Sequence, residues 1–396
     1  MIRASVRSKR IEYAIRDVVV PANELERKGI EVLKLNIGDP IKYDFRTPEH
    51  IRRAAAEAVM NSRSEYSPSE GLPELREAIV EREKEYGVDI TQNDVIVTTG
   101  VTEALMMIFA AALDPGEEIL VPGPTYPPYI TYPTFYDGVP KTYRTVEEDG
   151  WQPDIDDIRK KIGPRTKAIA VINPNNPTGA YYDTKILRQI ADVAAEHGLF
   201  VISDEIYDRM LYDDDFVSIA NVAKDLPVII LNGISKVYLA PGWRIGYLAI
   251  RDPDGSLEDI RDGIFRQARA RLCANTPLQI GYLAALRGPQ NHIRETMEKL
   301  RVRRDYVAKR VEEIEGLSVV PPKGAFYMFI KVHGCRDDKR FALDLLRKKH
   351  VLTVHGSGFC PVYGKGHFRI VNLPPVEYLE EAFNRIESFM RERKSI

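Results

Sequence analysis

Lys236 is the residue in this sequence whose surroundings point most directly to chemistry. It comes five residues after the apolar run 228–231, and its neighbours include Gly233 and Ser235. A lysine held at the end of a buried strand can lose its proton and form an imine with an aldehyde. A lone lysine is more often solvated at the surface, but the apolar run and the small neighbours make that interpretation less favourable here.

An acidic residue follows another apolar run, at residues 199–202. Asp204 comes just after this run, and Tyr207 stands three residues later. A carboxylate at the end of a buried strand is unfavourable unless it meets a cation or a good hydrogen-bond donor. The protonated nitrogen of a pyridine ring would be such a partner. The alternative is that Asp204 caps the N-terminus of a helix, which aspartate also does well.

Phosphate binding is indicated where the apolar run 95–97 ends. Residues 98–105 contain Gly100 and open an apolar helix. Backbone N–H groups exposed at such a turn lie at the positive end of the helix, which suits a phosphate. A helix that is capped by Thr102 and binds no ligand is an equally good interpretation.

Three further segments carry residues that could contact a ligand. Residues 122–129 contain several prolines and two tyrosines, so an aromatic ring could be held there to stack on a flat ligand, although a stiff surface loop explains them as well. Residues 173–179 are dense in turn-forming types, and an amide side chain there could donate to a ring oxygen. Arg369 lies in the strand-like segment 366–370 and needs a partner, either a ligand carboxylate or a structural salt bridge.

The apolar runs also indicate the fold. Runs at residues 95–97, 119–121, 168–172, 199–202 and 228–231 are typical of strands in a parallel sheet with helices on both faces. Helical patterns lie between them, one of them with Asp183 as N-cap and Gly198 just past its end. This alternation predicts an α/β layer architecture, in which ligands bind beyond the carboxyl ends of the strands.

The last part of the chain has a different pattern. Long charged helices from about residue 290 precede a strand-like run at 325–330, a helix near 339–349 and a closing helix from Glu377. We therefore interpret residues 46–290 as a large domain with a mostly parallel sheet, and residues 291–396 as a smaller α+β domain.

Composition excludes several classes of function. The chain has 396 residues, 44% of them hydrophobic, and a net charge of −2. This length suits two domains, and the charge indicates neither a nucleic-acid-binding face nor a polybasic membrane contact. The three cysteines form no C-x-x-C pair, so we expect neither disulfides nor a metal site. We find no secretory signal and no apolar run of transmembrane length, and we expect a cytoplasmic protein.

Taken together, these residues resemble a known family. Asp204 with Tyr207, then Ser235-Lys236, then Arg244 eight residues after the lysine, match the order and spacing of the class I/II aminotransferases of fold type I, which depend on pyridoxal 5'-phosphate (PLP). The segment 176–179 precedes them and Arg369 follows them, as in that family. The resemblance extends from Gly38 to Arg369 and is specific because the pieces occur jointly.

The resemblance implies a role for each cofactor-binding residue. Lys236 would be the Schiff-base lysine, and Asp204 would keep the pyridine nitrogen protonated. Tyr207 and Asn176 would hydrogen-bond the ring oxygen. The family's other cofactor contacts correspond to a stacking tyrosine, two backbone amides and an arginine for the phosphate: Tyr126, Val101, Thr102 and Arg244.

The resemblance also implies the substrate site and a dimer. Arg369 would bind the substrate α-carboxylate, assisted by Asn176 and the backbone near Gly38. Tyr66 would reach the phosphate of the neighbouring subunit, so the active site would be shared in a homodimer. Residues 1–45 would form an N-terminal arm that packs with the C-terminal domain. One position departs from the family, because Gly233 stands where many members carry a phosphate-binding serine.

The substrate prediction is alanine with 2-oxoglutarate. Residues 12–16, 24–26, 35–40 and 232–238 resemble the alanine aminotransferase branch. In members that favour aspartate, an arginine five residues before an asparagine of the partner subunit binds the distal carboxylate. Asn275 corresponds to that asparagine, and Ala270 occupies the position of the arginine here. Arg269 and Arg271 flank Ala270, so a shift of one residue in the alignment would place an arginine at this position and would favour aspartate instead.

Other functions remain as alternatives. The chain could be an aminotransferase for aspartate, aromatic or branched amino acids, or a PLP-dependent lyase on the same fold. A PLP-sensing transcription regulator would need an N-terminal DNA-binding domain, for which we see no room. A nicotinamide-binding protein should carry G-x-G-x-x-G after its first strand, and we find none.

Overall fold

A computed structural model describes residues 2–11 and 14–394. Glu12 and Tyr13, which belong to the N-terminal motif 12–16, lie outside the described residues. Within the described ranges no helix is long and apolar enough to cross a membrane.

Strands and helices alternate through most of the chain. The strands are β1 (Leu33–Lys34), β2 (Val95–Thr98), β3 (Glu118–Gly123), β4 (Val139–Val146), β5 (Gln152–Pro153), β6 (Thr166–Ile172), β7 (Phe200–Asp204), β8 (Val228–Gly233), β9 (Gly246–Arg251), β10 (Leu317–Val319), β11 (Tyr327–Val332), β12 (Val351–Leu352), β13 (Val354–His355) and β14 (His367–Val371). The α-helices are α1 (Ala14–Asp17), α2 (Val19–Arg27), α3 (Glu49–Met60), α4 (Pro73–Glu85), α5 (Val101–Ala112), α6 (Pro128–Phe135), α7 (Ile155–Lys161), α8 (Thr184–Glu196), α9 (Ile219–Val222), α10 (Glu258–Arg271), α11 (Thr276–Arg287), α12 (Asn291–Glu313), α13 (Asp338–Lys349) and α14 (Val376–Lys394). Short 3₁₀ helices span Arg7–Arg10, Pro40–Lys42, Gln92–Asp94, Glu147–Asp149, Pro241–Trp243 and Gly356–Gly358.

The large sheet has eight strands in the order β2-β9-β8-β7-β6-β3-β4-β5. Strands β8, β7, β6, β3 and β4 run parallel, while β9 is antiparallel to both of its neighbours. The register pairs Ile172 of β6 with Asp204 of β7, and Asp204 with Leu231 of β8. Three strands therefore end side by side at one edge of the sheet.

Both faces of the large sheet are buried. In β6, Ile169 and Val171 pack into one apolar cluster together with residues of α8, whereas Ala170 and Ile172 pack into another with residues of α5 and α10. Since successive side chains of a strand point to opposite faces, a strand covered on both sides has to be apolar throughout. The mostly parallel sheet with helices on each face, predicted from the apolar runs, is confirmed.

A smaller antiparallel sheet lies in the C-terminal part of the chain, with strand order β10-β11-β14-β13. It shares a third apolar cluster with residues of α12, α13 and α14. The N-terminal strand β1 pairs in parallel with β12, through Leu33 with Val351 and Lys34 with Leu352. The boundaries at residues 45 and 290 stay predictions.

Three strands of the large sheet, β4, β5 and β9, were missing from the sequence prediction. Strand β4 has an exposed to half-buried pattern along most of its length and includes Lys141 and Arg144, so it carries no apolar run. Strand β9 begins at Gly246, directly after the segment around Arg244 that was interpreted as a motif. By contrast, the predicted cap of α8 is confirmed, since the Asp183 side chain accepts a hydrogen bond from the Ile186 N–H at 2.9 Å.

A buried ion pair fixes the segment that follows β7. The Arg82 side chain on α4 is 5% exposed and donates to the carboxylate of Asp208, which is fully buried. Arg82 also donates to Glu83 at 2.5 Å and to the Tyr247 hydroxyl at 2.7 Å. Because Asp208 lies four residues after Asp204, this pair anchors the chain that carries the acidic residue of the site.

We expect Arg82→Ala to lower the free energy of unfolding by about 3–5 kcal/mol, because it leaves the carboxylates of Asp208 and Glu83 buried without their cation. Urea denaturation followed by far-ultraviolet circular dichroism measures the change. Arg159→Ala is the matched control: its ion pair with Glu196 is exposed, with side chains 42% and 51% accessible, so the midpoint should stay the same. Equal midpoints for the two variants would contradict this account.

Candidate active site

A cleft opens where β6, β7 and β8 end. Its inner part has a cavity volume of about 120 Å³, and a second cavity adjoins it towards the C-terminal sheet. Predicted residues that line the inner part are Val101, Thr102, Tyr126, Asn176, Asp204, Tyr207, Lys236 and Arg244. The adjoining cavity adds Gly38 and Arg369. The structure thus brings together all predicted site residues except Tyr66.

Lys236 lies between the two cavities and lines both. Its Nζ donates to the carbonyl oxygen of Gly38 at 2.9 Å. Burial lowers the pKa of Lys236 to about 8; the charges of Arg369 and Arg244 act in the same direction, and that of Asp39 opposes them. The amine is therefore neutral, and nucleophilic, in a larger fraction of molecules at neutral pH than an ordinary lysine.

Asp204 ends β7 and is 3% exposed. Its carboxylate accepts hydrogen bonds from the Tyr129 hydroxyl at 2.9 Å and from the Ile206 N–H at 3.2 Å. Burial raises the pKa of Asp204 to about 6, and these two hydrogen bonds oppose that rise. A turn, not a helix, follows Asp204, so the alternative of a helix cap is wrong. A cationic ring nitrogen would fit this carboxylate.

The N-terminus of α5 and Arg244 form a concave positive site. The N-cap residue of α5 is Gly100, at φ 76°, and not Thr102; the helix N-terminus has no side-chain cap. A side chain at Gly100 would collide with the guanidinium of Arg244. Arg244 Nη1 donates to the Pro241 carbonyl at 2.9 Å and lies 3.4 Å from the hydroxyl oxygen of Ser235. Backbone amides, a guanidinium and a hydroxyl suit a phosphate group.

Arg369 and Asn176 make up the far side of the cleft. Arg369, 1% exposed, lies in β14 and donates to the Asn176 side-chain oxygen at 2.9 Å and to the Asn36 carbonyl at 2.5 Å. Both of these acceptors are neutral, and the guanidinium also lies over the rings of Tyr327 and Phe359. A substrate carboxylate would fit beside it.

Several residues that line or support the cleft had no role predicted from the sequence, among them Tyr129, Ser235 and Tyr327. Tyr129 stands three residues after Tyr126, and its hydroxyl donates to the Asp204 carboxylate. The hydroxyl oxygens of Tyr327 and Tyr207 are 2.8 Å apart. Sequence offered a signal for Tyr129 only, since a three-residue spacing places two side chains on one side of a helical turn.

Tyr66 and the segment around Ala270 lie away from the cleft. Tyr66 is 79% exposed. Ala270 is exposed on α10, and the Asn275 side chain caps α11 by accepting from the Leu278 N–H at 3.1 Å. Arg271 donates to the carbonyl oxygens of Val97, at 3.1 Å, and Ser69, at 3.3 Å, within its own chain.

The structure gives a steric reason for the departure at Gly233. A Cβ atom there would lie 2.8 Å from the Gly246 Cα, at the start of β9, and 2.8 Å from the carbonyl oxygen of Ile245, the residue before it. Such distances are far below van der Waals contact, so the missing serine cannot be added without moving β9 against β8. Ser235, whose hydroxyl lies near Arg244, offers a hydroxyl in the same region.

We therefore expect Gly233→Ser, which restores the usual residue of the family, to lower the free energy of unfolding by about 1–3 kcal/mol without strengthening phosphate binding. Urea denaturation and equilibrium dialysis with inorganic phosphate measure the two effects. Gly163→Ser is the control, because its nearest neighbour would be 3.6 Å away. A stable Gly233→Ser protein that binds phosphate more tightly would contradict the steric explanation.

Comparisons with known proteins agree with this geometry. The model of the family described as aminotransferase class I and II matches residues 30–386. Glutamate-pyruvate aminotransferase AlaA of Escherichia coli K12 is 38% identical over 399 residues, covering 98% of each chain. Alanine aminotransferase of Mycobacterium tuberculosis H37Rv is 37% identical over 407 residues, covering 98% of this chain and 93% of its own. The structure of alanine aminotransferase from Pyrococcus furiosus is 58% identical with a TM-score of 0.97, covering 98% of this chain and 100% of its own. The chain belongs to the class I and II aminotransferases.

Proposed function

We propose that the protein is a PLP-dependent aminotransferase that converts L-alanine and 2-oxoglutarate to pyruvate and L-glutamate. The observation that carries this proposal is a lysine of lowered pKa, Lys236, between a buried carboxylate at Asp204 and a buried guanidinium at Arg369. The names of the relatives described above point to the same reaction.

The chain's residues fit PLP at five points. Asp204 would hold the protonated ring nitrogen, Tyr207 and Asn176 would donate to the ring oxygen, and Tyr126 would lie against the ring face. The amides of Val101 and Thr102 would bind the phosphate together with Arg244. Lys236 would hold the cofactor covalently through its Nζ atom. Bound there, PLP supplies a ring that takes up the electron pair left when the α-proton is removed from an amino acid.

Lys236 would also move the proton. Once the amino acid has displaced it, Nζ is a free amine beside the substrate, and burial keeps its pKa low enough for it to act as a base near pH 8. It would take the proton from the α-carbon of the amino acid and return a proton to the cofactor carbon on the other side of the transferred nitrogen. The Gly38 carbonyl, 2.9 Å from Nζ, holds the amine in place for both transfers.

Arg369 and the cavity around it would set how the substrate lies. The guanidinium would bind the α-carboxylate in a forked contact, with Asn176 held beside it. Ile15 and Ile37 line the same cavity, and their apolar side chains suit the methyl group of alanine. Within its own chain Arg271 donates to two carbonyl oxygens, and Arg269 lies 4.0 Å from Glu70.

A homodimer with shared active sites belongs to this proposal. Tyr66 is 79% exposed and lies outside the cleft of its own chain, as a residue that serves a neighbouring subunit should. Val59 and Met60, at the end of α3, are exposed apolar residues close to it in sequence. Cytoplasmic location stays a prediction from composition.

Steady-state turnover tests the proposal. We expect purified protein with PLP to form pyruvate from L-alanine only when 2-oxoglutarate is present, and Lys236→Ala to lose at least about 10⁴-fold in kcat, because it loses both the covalent attachment and the base. Lys185→Ala, at an exposed position on α8, is the control and should keep full activity. Pyruvate formation without an oxo acid acceptor would instead identify a PLP-dependent lyase.

Arg369→Ala should raise the KM for L-alanine by about 30-fold or more, since the carboxylate loses a charged, forked hydrogen-bond partner worth about 2–5 kcal/mol. Initial rates over a range of alanine concentrations measure the effect. Arg369→Lys keeps the charge but not the fork and should give an intermediate KM. An unchanged KM in Arg369→Ala would show that the α-carboxylate binds elsewhere.

A further inference from the structure

Tyr327 lines both cavities of the cleft. It is the first residue of β11, in the C-terminal sheet, and it is 3% exposed. The residues around it come from both sheets, since Tyr207 follows β7 of the large sheet and Arg369 lies in β14 of the small one. Tyr327 therefore contacts both Tyr207, on the side of the site proposed to hold the cofactor ring (the ring side), and Arg369, on the side proposed to hold the substrate carboxylate (the carboxylate side).

The hydroxyl of Tyr327 contacts the ring side. The Tyr207 and Tyr327 hydroxyl oxygens are 2.8 Å apart, and their rings meet edge to face with centroids 5.8 Å apart. Each hydroxyl has one proton to donate. If Tyr207 uses its proton for the ring oxygen of the cofactor, Tyr327 must be the donor of the pair. A hydroxyl that accepts a hydrogen bond becomes a better donor itself, so Tyr327 would strengthen the bond that Tyr207 makes.

The ring of Tyr327 contacts the carboxylate side. The guanidinium carbon of Arg369 lies 4.6 Å from the centroid of the Tyr327 ring and 4.7 Å from that of Phe359. Both rings are within the range of a cation–π contact. Strands β11 and β14 are hydrogen-bonded neighbours, with Tyr327 opposite Val371, so the backbone holds the ring and the guanidinium in a fixed relation.

A third contact involves the backbone of Gly38. A side chain at Gly38 would collide with the Tyr327 hydroxyl and would come within 2.8 Å of the Phe326 ring. The Gly38 carbonyl is the acceptor for Lys236 Nζ. Because Gly38 has no side chain, the Tyr327 hydroxyl and the Lys236 amine can both lie close to its backbone.

We propose that Tyr327 is a positioning residue of the transamination reaction, whose hydroxyl orients Tyr207 and whose ring holds Arg369, so that the two halves of the active site keep a fixed distance. This inference rests on the proposed function. It assigns separate tasks to two parts of one side chain, and substitutions can remove them one at a time.

Tyr327→Phe removes the hydroxyl and keeps the ring. Tyr207 then donates more weakly to the ring oxygen of bound PLP, which leaves more negative charge there, and the neighbouring nitrogen of Lys236 holds its proton to higher pH. We expect the pH midpoint of the visible absorbance of PLP-loaded protein to rise by about half a pH unit. The KM for L-alanine should change less than about twofold, because the ring still contacts Arg369.

Tyr327→Leu removes the ring as well. We expect the same rise in the absorbance midpoint together with an increase of about tenfold in the KM for L-alanine, because Arg369 loses the aromatic contact that orients it. Tyr143→Phe is the matched control: Tyr143 is fully buried and its hydroxyl donates to the Ala170 carbonyl at 2.9 Å, away from the cleft. Its midpoint and KM should equal those of the unmodified protein.

The outcomes separate this inference from the proposed function. An absorbance band in the unmodified protein with an unshifted midpoint in Tyr327→Phe would overturn the role of Tyr327 and leave the proposed function intact. The absence of any visible band in unmodified protein mixed with PLP would overturn both. Should Tyr327→Leu fail to fold, the Tyr327→Phe midpoint alone still decides whether the hydroxyl orients Tyr207.

Discussion

Asp204 is 3% exposed at the end of the middle one of three parallel strands, and a carboxylate in such a place has to be stabilised. Its hydrogen bonds come from two neutral donors, the Tyr129 hydroxyl and the Ile206 N–H, and its pKa remains raised to about 6. The site is thus prepared for a cation at this point. Because β6 and β8 end beside β7, the segments that carry Asn176 and Lys236 must lie next to that carboxylate, and the remaining geometry follows from this register.

Charges of both signs line the cleft. Asp204 and Arg244 line its inner part, and Asp39, Arg244 and Arg369 line the adjoining cavity. Lys236 stands between them, and its lowered pKa reflects first its burial and then the two guanidinium groups. A lysine paired directly with a carboxylate would keep its proton and would be a poor nucleophile. Burial and closeness to two arginines therefore lower the pKa of Lys236 and favour its neutral, nucleophilic form, although the charges of Asp39 and Asp204 oppose them.

The residues at the strand ends could be predicted from the sequence because a polar residue after an apolar run is unusual. Lys236, Asp204 and Asn176 all stand out in this way. Sequence reasoning assigned no role to Tyr129, for which the spacing from Tyr126 was the only signal. It did not reach Tyr327, since the chain has 20 tyrosines and residue type alone does not single out this one. The position of Tyr327 depends on how β11 packs, which local patterns do not encode. Strand β4 was not predicted because its side chains are mostly half-exposed. The role of Tyr66, which is exposed, can be assigned only with a second chain present.

The most direct test of the central claim, that Lys236 holds PLP and transfers nitrogen from alanine, is the visible absorbance spectrum of the PLP-loaded protein during a single half-reaction. Our account predicts a visible band that disappears when L-alanine is added and returns when 2-oxoglutarate follows, whereas Lys236→Ala shows neither change. A band that L-alanine leaves untouched, or one that Lys236→Ala retains and cycles as the unmodified protein does, would contradict it.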